Sequence, residues 1–212
     1  MANPSLISPD TELSAVNTIL GAIGQAPVSS LDYDAATDTG AFENPEIGLI
    51  YNLLREANMD VQNEGWVFNT EDHIKYTPDA DGFIQVPDNV LRMDITESTD
   101  KNFDPIKRNG RLYNKVNHSD VFENDVFVNQ VTLIEFTDLP PVFQRWVTYK
   151  AATRAAAQLV ANTGLVQIMA AKEGEAKANC IEYECNQGDY NYMGFPHETH
   201  FTTYKPYRGL RR

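Results

Sequence analysis

The hydrophobic period of this chain changes twice, and that change limits its fold more than any other feature. Up to Gly65 the apolar residues recur every three or four positions. From Trp66 to Phe136 they recur every second position, and from Pro140 onward the helical spacing returns. A helix and a strand present their side chains at incompatible spacings. The chain therefore reads as two helical ends enclosing a β-rich middle.

The helical reading is clearest at Asn44-Pro45-Glu46, where a capping residue, a first-turn proline and a first-turn acid stand in order. Ile47, Ile50, Leu54, Ala57 and Val61 follow as one face, and Gly65 closes the segment. Before it, Ser8-Pro9 opens a first helix. Leu13, Val16, Leu20 and Ile23 form its stripe, and Gly24 and Pro27 stop it. After the middle region, Asp138-Leu139-Pro140-Pro141 restarts helix. Val142, Phe143, Trp146 and Tyr149 then run into the alanine-rich AATRAAAQLVA. Thr163-Gly164 reads as a break. A fourth helix is expected from Leu165 to about Asn186, with Val166, Met169, Ala176, Cys180 and Tyr183 inward and Gly188 at its end.

Within Trp66 to Phe136 the β-like runs are WVFN, HIKYT, FIQV, RLYNKV and VNQVTLIEF. Asp79-Ala80-Asp81-Gly82 separates one pair. Asn109-Gly110 carries the type I′ hairpin signature. The expected fold is α+β. An antiparallel four-helix bundle comes from residues 1–65 and 137–190, with a β-rich insertion at 66–136 and an extended tail at 191–212. No internal repeat or low-complexity segment interrupts it.

Charge separates the tail from the rest. The stretch His197 to Arg212 holds four bases against Glu198, whereas the rest of the chain holds 13 bases and 29 acids. Phe201, Tyr204, Tyr207 and Leu210 offer burial, and Lys205, Arg208, Arg211 and Arg212 offer donors for carboxylates or phosphates. A solvated C-terminus and a docking arm both fit such a segment. Three aromatics favour docking, because disordered segments are poor in aromatics. Over the whole chain the net charge of −13 disfavours general nucleic-acid binding. No run has the length of a membrane span. The N-terminus lacks the basic start and apolar stretch of a signal peptide, so a soluble protein made in the cytosol is expected.

Catalytic and metal chemistry find little support. The Ser, phosphate-loop and dinucleotide-loop motifs of common enzymes are missing from the sequence. His197-Glu198-Thr199-His200 lacks the i, i+4 histidine spacing of helical zinc proteases, and no metal is assigned. Asp32, Asp34, Asp38 and Glu43 fit positions 1, 3, 7 and 12 of a calcium loop. Ala36 and Thr37 occupy positions needing a ligand and a glycine, so a solvated acidic loop is the better reading. Carboxylate pairs carry no weight in a chain with 30 acids. Trp66 and Trp146 are expected to anchor a core. Cys180 and Cys185 on one helix would lie roughly 8 Å apart, too far to bridge, and read as reduced thiols. No cofactor is expected.

Four blocks resemble a known family. ELSAVNTILGAIGQAPVSSL (Glu12 to Leu31), GWVFNTE (Gly65 to Glu71), LPPVFQRWVTYKAATRAA (Leu139 to Ala156) and EAKANCIEYECNQGDYNYM (Glu175 to Met193) are similar to tail tubular protein A. That family supplies the adaptors, or gatekeepers, of short-tailed bacteriophages related to coliphage T-seven. The resemblance implies a non-enzymatic virion protein that forms a dodecameric ring. Such a ring binds the portal protein above and the nozzle, tail tubular protein B, below. It offers attachment sites to tail fibres and lets double-stranded DNA pass through its centre. It implies also that the C-terminal segment reaches the portal, which makes Phe201, Tyr204, Lys205, Tyr207, Arg208, Leu210, Arg211 and Arg212 the docking residues. Residues 1–65 hold ten acids and one base, Arg55, which suits either a DNA-repelling channel lining or a solvated outer face. Two other readings stand beside the resemblance. One is an envelope-polysaccharide binding or degrading module in the β region. The other is a free helical regulator, monomeric or dimeric.

Overall fold

The computed structural model describes residues 11–31, 44–95 and 103–188. The described chain is α+β, with helices on both sides of an antiparallel β region in sequence.

Helix α1 spans Glu12–Ala22. Its cap is Thr11, whose hydroxyl accepts from the Ser14 backbone N–H while the Ser14 hydroxyl accepts from the Thr11 N–H. The expected opening at Ser8-Pro9 lies outside the described residues. Gly24, at φ +83°, turns the chain away after α1. Helix α2 spans Pro45–Gln62 behind the expected Asn44 cap. It buries Ile50, Leu53, Leu54, Ala57 and Val61.

Helix α3, Pro141–Ala155, is the centre of the helical part: α1, α2 and α4 all pack on it. Its alanines 151, 152 and 155 are fully buried, so the neighbouring helices approach closely. A π turn at Ala156–Val160 and a left-handed Ala161 then reverse the chain. Asn162 accepts from the N–H groups of Gly164 and Leu165 and opens α4, Thr163–Gly188. Thr163-Gly164 is therefore the first turn of α4, and the break sits at Ala161-Asn162. Helices α3 and α4 run antiparallel. Tyr183 meets Phe143, the Cys180 thiol bonds the Val142 carbonyl, and Lys172 lies over Tyr149.

Five strands form the β region. Strand β1 is Thr70–Tyr76, β2 Val90–Ile95, β3 Pro105–Arg108, β4 Arg111–Asn114 and β5 Val126–Thr132. One sheet has the order β1-β5-β2, antiparallel throughout, with Thr70 and Arg92 both opposite Val131. The other is the β3-β4 hairpin. Asn109 and Gly110 take φ of 53° and 73°, as the expected I′ turn requires. The Asp79 to Gly82 turn also forms: the Asp79 carboxylate accepts from the N–H groups of Asp81 and Phe83.

Three β expectations are corrected. WVFN is not a strand; Val67–Asn69 is a 3-10 turn that places Trp66 in the helical core. FIQV makes only the isolated bridges Phe83 to Val121 and Gln85 to Arg111, although Ile84 and Val86 are buried. VLRMDI, by contrast, forms β2. In the run VNQVTLIEF, ladder pairing ends at Thr132.

Two cores result. The larger joins α1 to α4 around Trp66, Phe143 and Trp146, with the Trp66 ring 5.0 Å from Phe143 and 5.6 Å from Trp146. The smaller holds Ile84, Val86, Val90 and Leu112 inside the β region.

Candidate assembly surfaces

The β region is fixed to the helices by two buried amides. Gln62 ends α2 at 0% exposure and reaches the segment that leaves the β region after β5. Its Nε2 donates to the Ile134 carbonyl and its Oε1 accepts from the Ile134 N–H, both at 2.8 Å. Asn69 stands where the chain enters the region. Its Nδ2 donates to the carbonyls of Gln62 and Thr132, and its Oδ1 accepts from the Trp66 N–H. Trp66 Nε1 donates to the Val61 carbonyl at 2.7 Å. Glu184, near the end of α4, accepts from the Val67 N–H at 2.9 Å. Entry, exit and the last described helix thus meet at one junction, which sets how the two parts present their outer faces.

The tail residues Phe201, Tyr204, Lys205, Tyr207, Arg208, Leu210, Arg211 and Arg212 lie outside the described residues. The same holds for Asp32, Asp34, Asp38, Glu43, His197 and His200. Helix α4 ends at Gly188, so the chain leaves the described part four residues beyond Glu184 and close to the junction.

Other singled-out residues have definite places. Trp66 and Trp146 anchor the core. Cys180 is fully buried and Cys185 exposed, both free on α4. Burial, reinforced by the Glu64 carboxylate, pushes the Cys180 thiol up to about 12. His73 sits in a bulge of β1 at φ 59°, and its N–H donates to the Asn129 side chain. Among the described residues no cluster of His, Cys, Asp or Glu has a metal-binding arrangement. No described helix is long and apolar enough to cross a membrane.

Two charged surfaces went unread in the sequence. The first is basic. Residues 105–116 contain Lys107, Arg108, Arg111 and Lys115 and no acid, and this is the β3-β4 hairpin. Arg108 lies 4.1 Å over the Tyr113 ring and Arg111 4.1 Å over the Phe83 ring. The Lys107 ammonium donates to the Pro87 carbonyl, and Lys115 pairs with Asp104. Local charge counting over 12 residues would have found it. The second is acidic. Glu56, Asp60 and Glu64 stand at i, i+4 and i+8, running from α2 into the turn beyond it. Arg154 reaches the first two, and Lys177 reaches Glu64 at 3.7 Å. Apolar side chains are exposed beside both: Ile106 and Val116 in the β region, Leu49 and Met59 on α2.

An open groove between the α1-α2 pair and the segment after β5 is lined by Glu12, Tyr51, Arg55, Met59, Asn89 and Phe136. Within it the Tyr51 hydroxyl donates to the Glu12 carboxylate at 3.0 Å. What the described residues present is two oppositely charged surfaces, each with exposed apolar side chains beside it. The family model for tail tubular proteins matches residues 13–190. Tail tubular protein A of Klebsiella phage KP34 is 30% identical over 136 residues, covering 64% of this chain and 66% of that relative's length. The chain belongs to the tail tubular protein family and is a structural component of a phage tail.

Proposed function

We propose that this chain is the head-to-tail adaptor of a short-tailed phage. It forms a ring, of twelve copies on the family's pattern, between the portal protein and the nozzle protein. Genome DNA passes through the ring without sequence-specific contact, and tail fibres attach to its outside. The ring has no catalytic part and no cofactor, is made in the host cytoplasm and ends in the virion tail. The observation that carries this reading is the family match over residues 13–190, which runs through both helical ends and the β region.

On this reading residues 1–65 and 137–190 make the four-helix frame, 66–136 the insertion, and 191–212 the arm that docks on the portal. Phe201, Tyr204, Tyr207 and Leu210 fill portal pockets, while Lys205, Arg208, Arg211 and Arg212 pair with portal acids. Breaking one buried arginine pair at such an interface costs about 2–5 kcal/mol, and ring symmetry multiplies the effect through avidity. The test is co-purification of the full chain with the portal protein of the same phage, followed by imaging. A closed ring seated on the portal is expected. A chain that never joins portal, or joins it singly, would sink the reading. Incubation with host capsule should release no sugar.

A further inference from the structure

The β3-β4 hairpin carries a local conflict. Arg108 and Arg111 are direct cross-strand partners flanking the two-residue Asn109-Gly110 turn. Like charges directly opposite each other destabilise a hairpin. Each guanidinium is held on an aromatic ring, Arg108 on Tyr113 and Arg111 on Phe83. Arg111 has Asp120 at 3.7 Å; Arg108 is exposed and has no acid partner among the described residues. Two donor forks on one face of the hairpin, each held on a ring and with Asp120 near only one of them, are arranged for carboxylates brought from outside.

The acidic surface described above has the opposite imbalance. Glu56, Asp60 and Glu64 have side chains 67%, 50% and 41% exposed, and two in-chain bases serve the three of them. Exposed Met59, at 50%, lies beside the carboxylates, as exposed Ile106, at 39%, lies beside the arginines and opposite Tyr113. The two patches match in charge and in apolar content.

We propose that the Arg108-Arg111 face of one copy docks on the Glu56-Asp60-Glu64 face of a second copy of this chain. The patches are different, so the contact is head-to-tail, and a pair of copies keeps one free patch of each kind, the acidic one on one copy and the basic one on the other. Such a contact closes into a ring or grows into a filament. This deepens the ring reading above and rests on it for closure. With a chain charge of −13, copies approach each other favourably only where bases are concentrated, and the hairpin is such a place.

The test is sedimentation of the full chain at low and high salt, with two variants. Arg108→Glu turns the like-charge pair into an opposite pair, so the hairpin should melt no lower than in the wild type. Its self-association should nevertheless weaken at least tenfold. Glu56→Lys combined with Glu64→Lys should weaken it similarly. An equimolar mixture of the two variants restores an Arg-to-Glu contact and a Glu-to-Lys contact, and should associate where neither does alone. The wild type should dissociate as salt rises. Unchanged association of Arg108→Glu, or a mixture that stays apart, would overturn the pairing while leaving a ring on the portal intact. A wild type monomeric at every salt concentration overturns the pairing as well, and portal co-purification then judges the ring separately. Binding of the wild type to duplex DNA that Arg108→Glu abolishes, with association unaffected, would assign the hairpin to nucleic acid instead.

Discussion

Cys180 and Cys185 occupy the same helix and should behave oppositely. Cys180 is fully buried and its thiol is bonded to the Val142 carbonyl, whereas Cys185 is exposed. Native protein treated with an alkylating reagent should take one label, at Cys185, and a second only on unfolding. The raised thiol also links stability to pH. In the folded chain Cys180 holds its proton up to about 12, while its ordinary value is 9.0. Between those values the folded state binds more protons, so its stability is full below pH 9 and falls as pH rises towards 12. Cys180→Ala should flatten that decline in a denaturant series, at the cost of packing. Gln62 makes the stronger residue-scale case. Gln62→Ala would strand both the N–H and the carbonyl of Ile134 inside the junction. Each group left unsatisfied costs about 1–3 kcal/mol. A melting temperature unchanged by this substitution would show that the amide is not holding the β region.

At the scale of elements, the β3-β4 hairpin and α2 were legible in the sequence because their signals are local. An Asn-Gly turn admits few strand pairings, and a capped 3-4-3-4 stripe admits one helix. Strand β2 was hidden because Arg92 and Asp94 are half its alternation and its partner β5 lies about 40 residues away. Trp66 and Val67 read as strand from apolar content, but the Asn69 side chain bonding the Trp66 N–H favours a tight 3-10 turn there. The amide clamp was illegible for the same reason as β2, since Gln62 and Ile134 stand 72 positions apart. The hairpin also gives a prediction of its own. Gly110 is at φ 73° with open space around a would-be Cβ. Gly110→Ala should therefore cost about 1–2 kcal/mol through the backbone alone. The loss should be confined to the smaller core. Amide exchange should speed up at Leu112, bonded to the Ile84 carbonyl, and at Val86, bonded to the Gly110 carbonyl. Trp66 and Trp146 fluorescence should stay native, because those rings belong to the other core. A shared unfolding transition at both places would show that the two cores act as one.

For the whole molecule, the question is whether fold and docking are separable, and truncation after Phe195 asks it directly. The larger core is completed from within the described chain: α4 contributes Met169, Ala176 and Cys180, backed by Tyr183, and Glu184 pins its far end to Val67. All of these precede Phe195. The truncated chain should therefore melt within about 2 °C of the full one, the shift that roughly 0.5 kcal/mol produces in a domain of this size. Its association between copies should persist too, since both proposed faces, the hairpin and the α2 ridge, are retained. What it loses is the basic, aromatic stretch from His197 to Arg212, and with it four bases. Joining of the truncated ring to portal should fail, and joining of the full ring should weaken with salt in the way arginine-carboxylate pairing does. Replacing Arg208, Arg211 and Arg212 by glutamine should reproduce the loss, while replacing Tyr204 and Tyr207 by leucine should keep part of the affinity through retained apolar burial. Truncated rings found seated normally on portal-containing heads would remove the tail as the docking arm. The contact with portal would then have to come from the described faces themselves.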